Sequence, residues 1–136
     1  MEETIALEIV TPERLVVKED VTEITAPGEE GEFGVLPGHT PFMSTLRFGE
    51  VKYVKGGTPR YLAVNRGFAE VSENRVSVLV ETAERAEEID QKRAEAARAR
   101  AEERIKKSGK EEFDLVRAQA ALMRGMVRTQ VGSKAH

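Results

Sequence analysis

The 136-residue sequence predicts two parts, a small β-sandwich or barrel over residues 1–86 and an antiparallel helical hairpin over residues 87–136. Three observations predict it. Short segments of alternating polar and apolar residues recur through the first part, separated by Gly and Pro clusters, with no long helical period among them. All five Pro residues and most of the Gly residues precede position 87, while Ala dominates after it. Charge divides at the same place: residues 1–86 carry 9 Lys+Arg against 15 Asp+Glu, net −6, and residues 87–136 carry 12 against 9, net +3.

ETIALEIV, residues 3–10, puts Ile5, Leu7 and Ile9 on one face of a strand. TPERLVVKEDVTEITAP follows, with Leu15 and Val17, then Val21 and Ile24, in β-rich company. GEEGEFGVLPGHTPF, residues 28–42, packs four glycines, two prolines and one of the two histidines into fifteen positions. Such a density of turn formers predicts a shaped loop made of tight turns. Strands resume with EVKYVK, RYLAVN, GFAEVS and RVSVLVE; Gly56-Gly57 separates the first two, and SENR, residues 72–75, reads as a tight turn between the last two.

From Glu87 to Lys107, EEIDQKRAEAARARAEERIKK consists mostly of good helix formers, without Gly or Pro. Glu88–Lys92, Glu102–Lys106 and Glu103–Lys107 place acid before base at i,i+4, each worth roughly 0.2–0.5 kcal/mol. Lys106 and Lys107 suit a helix C-terminus. SGK interrupts the pattern, and Ser108 with Glu111 has the spacing of a capping box for a new helix. That second helix runs through EEFDLVRAQAALMRGMVRT, whose stripe of Leu115, Ala118, Leu122 and Gly125 matches Ala94, Ala97, Ala101 and Ile105 on the first. Small residues on both stripes predict close helix axes. At roughly 25 cal/mol per Å² the alanines bury little, so the hairpin is expected near its folding threshold.

Several function classes fall away. There is no Cys, hence no disulfide, thiolate metal site or Cys nucleophile. No apolar run reaches the ~18 residues of a membrane span, and the acidic start MEETIALEIV does not read as a signal peptide. The glycine-rich stretch lacks the Lys-Ser/Thr pair of a P-loop, since Gly38 is followed by His39, Thr40 and Pro41. His39 and Glu32 have no evident catalytic partner, and the only other histidine is His136. The chain is read as a non-enzyme. Arg93, Arg98, Arg100, Arg104, Arg117, Arg124 and Arg128 leave three readings open: a solvated face, a nucleic-acid-binding arm, or convergence of a few arginines on one anionic ligand.

IVTPE, EGEFGVLPGHTP, GFAEV and AERAEEIDQKRAEAARARAEERI occur in the order and spacing of one family. Through them the sequence resembles the epsilon subunits of bacterial F-type ATP synthases over essentially its whole length. The resemblance implies a ten-stranded β-sandwich followed by two α-helices, in a non-catalytic subunit of the rotating central stalk. It implies gamma and the c-ring as partners, and the α/β catalytic head when the helices extend. The membrane would be met only through the complex, on the cytoplasmic face of the bacterial cell membrane, and nucleic acid would have no part.

The GEFGVLPGH loop would face the c-ring, which assigns Glu32, Phe33, His39 and Thr40 to that contact. Relatives that sense ATP carry an I/L-D-x-x-R-A motif, here Ile89, Asp90, Gln91, Lys92, Arg93 and Ala94. Glu84, Arg100, Arg117, Arg124 and Arg128 fall where those relatives place further ligand or supporting residues. ATP is thus implied as a regulatory ligand that restrains inhibition of hydrolysis, with no obligatory cofactor and no metal. Asp90 would accept hydrogen bonds from ribose or base, or else cap the helix. Gly125 departs from the usual Ala, at about 1 kcal/mol of helix propensity, and Asn65-Arg66 departs from the small residues common there. The alternative resting on residues alone is a nucleic-acid-binding β-domain with a basic helical arm.

Overall fold

A computed structural model of the chain describes residues 3–107 and 112–135, the side chains of 112–114 aside. The chain divides into two compact units, Met1–Arg85 and Ala86–His136. The first holds ten strands: β1 (Ile5–Val10), β2 (Leu15–Val21), β3 (Glu23–Gly28), β4 (Gly31–Val35), β5 (Phe42–Leu46), β6 (Gly49–Lys55), β7 (Thr58–Val64), β8 (Gly67–Ser72), β9 (Arg75–Val80) and β10 (Ala83–Arg85). Their order is β10-β7-β6-β3-β5-β8-β9-β1-β2, with β4 paired to β3. All pairs are antiparallel except β1 with β9.

Period-two alternation decides which face is buried. Ile5, Leu7 and Ile9 on β1 and Val76 and Val78 on β9 turn inward, where Ile24, Leu46, Val51, Tyr53 and Leu62 meet them in one core. The sheet then bends back on itself. Thr22 on the β2–β3 connection donates its backbone N–H to the Val54 carbonyl at 2.9 Å and its hydroxyl to the same oxygen at 3.2 Å. Lys55 and Glu19 join the same edges through a 2.8 Å ion pair. The result is a sandwich nearly closed into a barrel, the fold class the sequence predicts.

Alternation is broken at one place in β2. Ile9 pairs with Val17 but Val10 with Leu15, so Val16 is the extra residue of a β-bulge. The bulge turns Val16 and Val17 both inward and leaves Leu15 51% exposed. Arg85 donates to the Val16 carbonyl at 2.6 Å, so the irregularity is held from β10. Residues 28–42, expected to form a shaped loop, are not all loop. Gly31–Val35 forms β4 against β3, with Ala26 opposite Phe33 and Pro27 opposite Glu32, which leaves the two-residue turn 29–30 and the stretch from 36 to 41 as connections.

In the second unit Ala86–Glu88 makes one 3₁₀ turn, followed by α1 (Gln91–Lys107) and α2 (Glu112–Gly132). The helix begins at Gln91 because Asp90 caps it: the Asp90 Oδ1 accepts from the Arg93 N–H at 3.1 Å, and its carbonyl from Ala94 at 2.9 Å. Glu88 therefore precedes α1, and the Glu88–Lys92 pair is not an intrahelical one. Within α1 Arg98–Glu102 at 3.2 Å and Glu103–Lys107 at 3.5 Å do form. Ser108 and Glu111, read as a capping box, lie outside the described residues, as does His136.

A chain ending after Ala86 should melt cooperatively as a sandwich. One ending after Thr82 loses β10 and the Arg85 bond to the bulge, and should melt about 5–10 °C lower; equal melting temperatures by calorimetry would leave β10 without a structural role. A pH dependence follows from Tyr53. Burial pushes its phenol above the ordinary value of 10.0, nearby Glu19 adds to the rise, and Arg85 opposes it. The unfolded chain ionises first, so stability should be level below pH ~10 and fall as pH rises from there toward the raised folded value. Tyr53→Phe should flatten that part of the decline in alkaline denaturation curves.

Candidate functional site

The connection between β4 and β5 is built around one turn. The Leu36 carbonyl accepts from the His39 N–H at 3.1 Å across Pro37-Gly38, and Gly38 has a φ of 80°. This is a type II turn, whose third residue must adopt positive φ and is therefore Gly. Beyond it Phe42 stands edge-on to two rings, Phe33 at 5.1 Å and His39 at 6.0 Å between centroids. His39 Nδ1 lies 2.7 Å from the Thr40 carbonyl. A carbonyl only accepts, so Nδ1 carries the proton and Nε2 is left as the free ring nitrogen.

Three of the residues assigned to this contact from the sequence are thus linked: Phe33 and His39 through Phe42, and Thr40 through its carbonyl. Phe33 is half-buried and also packs on the core. Glu32 is exposed and, with Glu29 and Glu30, rims a depression of about 410 Å³ formed with Phe33, Phe42, Met43, Ser44 and Thr45. Carboxylates around an aromatic floor suit a cationic side chain. Sequence reasoning missed Phe42, although an aromatic directly after Pro41 was there to be noticed.

A second surface crosses the outer face of the sheet. Phe68 pairs with Leu79, Leu79 with Val10, and Val10 with Leu15, so the four share one row and one side. Phe68 and Leu79 are each 42% exposed. A groove of about 460 Å³ lies beside them, lined by Val10, Thr11, Pro12, Arg66, Gly67, Leu79, Val80 and Glu81. Leu15 belongs to this row because the bulge turns it out.

The hairpin carries the third. A crevice of about 310 Å³ is lined by Ala97, Arg100, Ala101 and Arg104 of α1 and by Ala121, Arg124, Gly125 and Arg128 of α2. Four guanidinium-bearing residues, two from each helix, line it with no carboxylate among them. Arg100, Arg124 and Arg128 had been singled out from the sequence for ATP, whereas Arg104 had not, though it sits one turn beyond Arg100. Arg117 is exposed and outside this lining, Arg93 and Asp90 stand at the α1 cap, and Ile89 and Ala94 are buried. Glu84 lies on β10 in the other unit, opposite Ala63. Among the described residues no cluster of His, Asp and Glu is arranged to hold a metal ion, and no helix is long and apolar enough to cross a membrane.

The seam below the crevice bears out the stripe of small residues through Gly125 and explains its departure from Ala. A Cβ added there would stand 3.0 Å from the Cα of Arg98, and one at Gly132 would stand 2.7 Å from Gln91 Oε1. Seven residues back on α1 answer seven forward on α2, as in an antiparallel pair. Gly125 is therefore the close-approach point of the two helices, and its propensity cost is the condition of their contact. The same seam buries two polar atoms without a hydrogen-bond partner, Gln91 Oε1 and Thr129 Oγ1, at about 1–3 kcal/mol each.

The family description "ATP synthase, Delta/Epsilon chain, beta-sandwich domain" matches residues 4–86, and "ATP synthase, Delta/Epsilon chain, long alpha-helix domain" matches residues 87–132. The chain is 51% identical over 135 residues to the ATP synthase epsilon chain of Geotalea uraniireducens, covering 99% of this chain and 98% of that one. To the ATP synthase epsilon chain of Nitratidesulfovibrio vulgaris it is 52% identical over 135 residues, covering 99% and 100%. Among solved structures, a chain of the Euglena gracilis mitochondrial ATP synthase (OSCP/F1/c-ring) superposes with a TM-score of 0.80 at 26% identity, over 93% of this chain and 79% of that one. A chain of the Tetrahymena thermophila mitochondrial ATP synthase central stalk/c-ring shares the fold at a TM-score of 0.57 and 15% identity, over 98% and 96%.

The seam generates a prediction of opposite signs. Gly125→Ala raises the intrinsic helix propensity of α2 by about 1 kcal/mol yet should destabilise the closed hairpin by about 1–3 kcal/mol through overpacking. Thr129→Val replaces the unpaired hydroxyl by a methyl of the same shape and should stabilise it by about 1 kcal/mol. Native-state amide exchange of α1 and α2 reads both. A hairpin made firmer by Gly125→Ala would sink the account.

Proposed function

The chain belongs to the ATP synthase delta/epsilon family as an epsilon subunit of the central stalk, and from that premise we propose that it couples rotation through its sandwich and regulates hydrolysis through its hairpin. As a non-catalytic subunit it acts by contact and by conformation. Its partners in this reading are gamma, which docks on the outer apolar row Phe68–Leu79–Val10–Leu15, and the c-ring, which meets the tip carrying Glu32, Phe33, His39 and Thr40. An apolar row open to solvent suits a stable docking face. The carboxylate-rimmed depression suits basic loops. The subunit would sit on the cytoplasmic face of the bacterial membrane, held there through the complex.

The arginine crevice carries the regulatory half. Arg100 and Arg104 on one helix and Arg124 and Arg128 on the other line it, so a polyphosphate ligand would bridge the two helices. ATP is the proposed ligand, with Asp90 and Arg93 toward its ribose and base, and Ile89, Ala94 and Arg117 in supporting places. A ligand that binds only the closed form stabilises it by RT ln(1 + [L]/Kd), about 2.7 kcal/mol at a hundredfold excess. That matches in size the cost of the two unpaired polar atoms in the seam, so occupancy decides the state. Extension toward the α/β head would inhibit hydrolysis when ATP falls, and closure would relieve it when ATP is plentiful.

Calorimetric titration of the isolated subunit with ATP should give saturable binding that Arg104→Ala and Arg124→Ala each weaken by about tenfold or more, the loss of one charge-assisted hydrogen bond. No binding at millimolar ATP, or binding untouched by both substitutions, would leave the arginines as a solvated face. For the tip, replacing Glu32 and His39 together by Ala should weaken assembly on the membrane sector and shift the melting temperature of the isolated subunit by less than about 3 °C, as for other exposed turn residues.

A further inference from the structure

The turn joining β8 to β9 has so far served only as a connection. Its two central residues, Glu73 with φ 50° and Asn74 with φ 57°, both lie in the left-handed region, the signature of a type I′ hairpin turn. Asn tolerates that conformation better than most residues, and here both the oxygen and the nitrogen of its side chain are engaged. The Asn74 Oδ1 accepts from the Gly38 N–H at 3.0 Å, and its Nδ2 donates to the Thr4 carbonyl at 2.9 Å. Its own carbonyl accepts from the Ala6 N–H at 3.2 Å. One residue therefore binds three segments: the start of β1, the β8–β9 hairpin, and the Pro37-Gly38 turn.

The bond to Gly38 is the informative one. In a type II turn the hydrogen bond spans the first and fourth residues, here Leu36 and His39, so the N–H of the third residue is not engaged by the turn itself. Asn74 engages it. The connection over 36–41 would otherwise be joined to the sheet through its two ends and the edge-on contact of His39 with Phe42. A polar tip that must transmit force to a partner is better placed on a fixed support than on a free loop.

We infer that Asn74 is a positioning residue for the c-ring contact: it fastens the Pro37-Gly38 turn to the β1 and β8–β9 end of the sheet and so sets where His39 and Thr40 present themselves. This rests on the c-ring reading of the tip. Asn74 need not touch the partner; its effect passes through Gly38.

Two substitutions separate positioning from folding. Asn74→Gly keeps the backbone carbonyl and tolerates positive φ but removes both side-chain bonds. Asn74→Asp keeps an acceptor for the Gly38 N–H and loses the donor to Thr4. In the full-length subunit, Asn74→Gly should speed amide exchange at Gly38 by about tenfold, the equivalent of one hydrogen bond, with the melting temperature nearly unchanged. The same variant should bind a reconstituted gamma–c-ring assembly several-fold more weakly and lower the protons pumped per ATP hydrolysed. Asn74→Asp should restore slow exchange at Gly38 and most of the binding. Unchanged Gly38 exchange in Asn74→Gly overturns the proposal, as does faster exchange with unchanged binding. The Glu32→Ala/His39→Ala pair is the control: if it too binds normally, the c-ring reading of the tip fails, whereas if it binds weakly while Asn74→Gly does not, only the positioning role fails.

Discussion

The inward row of each strand is the constraint on which the first unit depends. Ile5, Leu7, Ile9, Val21, Val51, Val64, Ala69 and Val78 have no measurable exposure, and period-two geometry then forces their neighbours outward. Because one face of the sheet is committed to the core, the other is available for contacts at no cost to folding. The apolar row, the carboxylate rim of the depression and the turn at Gly38 are written in residues outside the core, while Phe33 serves both the depression and the core. The bulge at Val16 shows how tightly the two faces are linked, since one inserted residue both adds a valine to the core and moves Leu15 to the outside.

The hairpin follows a different logic. Its buried residues are chiefly Ala94, Ala101 and Ala118, and glycine supplies the close contact at Arg98. Little apolar area is gained, and two polar atoms are left unpaired. Where the sandwich rests on many large side chains, the hairpin rests on close approach and tolerates few changes. On the regulatory reading proposed above, a module of this kind would respond to a ligand of ordinary affinity, because the cost left in its seam is of the same order as one binding event.

Much of this was legible in the sequence, for reasons that can be assigned. Alternation in ETIALEIV and RVSVLVE is a local signal, and the strands fall where it puts them. The turn at 72–75 announced itself through Asn in a four-residue gap. The residues that escaped did so because their roles are not local. The outward turn of Leu15 was hidden since a bulge leaves no mark in composition. Gly125 was legible as one of a stripe of small residues, but its propensity cost does not record which backbone lies across the seam. Arg104 was one arginine among several until the crevice set it beside Arg124 and Arg128, and Asn74 gave no hint of its reach to Gly38 and Thr4. The boundaries of β4 were hidden by glycines that favoured a loop reading.

The parallel pairing of β1 with β9 has a consequence for how the molecule comes into being. Leu7 meets Val76, so the first strand made must wait for nearly the whole unit before its second neighbour exists. Contacts this distant in the chain carry a large closure entropy and make folding slow, on a scale of milliseconds to seconds. Helix formation takes about a microsecond, and the two helices of the hairpin are adjacent in the chain. A ribosome therefore releases a late-maturing sandwich followed at once by an element that orders quickly and reversibly. On the regulatory reading proposed above, the same difference in barriers would let the helices open and close many times within the lifetime of one folded sandwich.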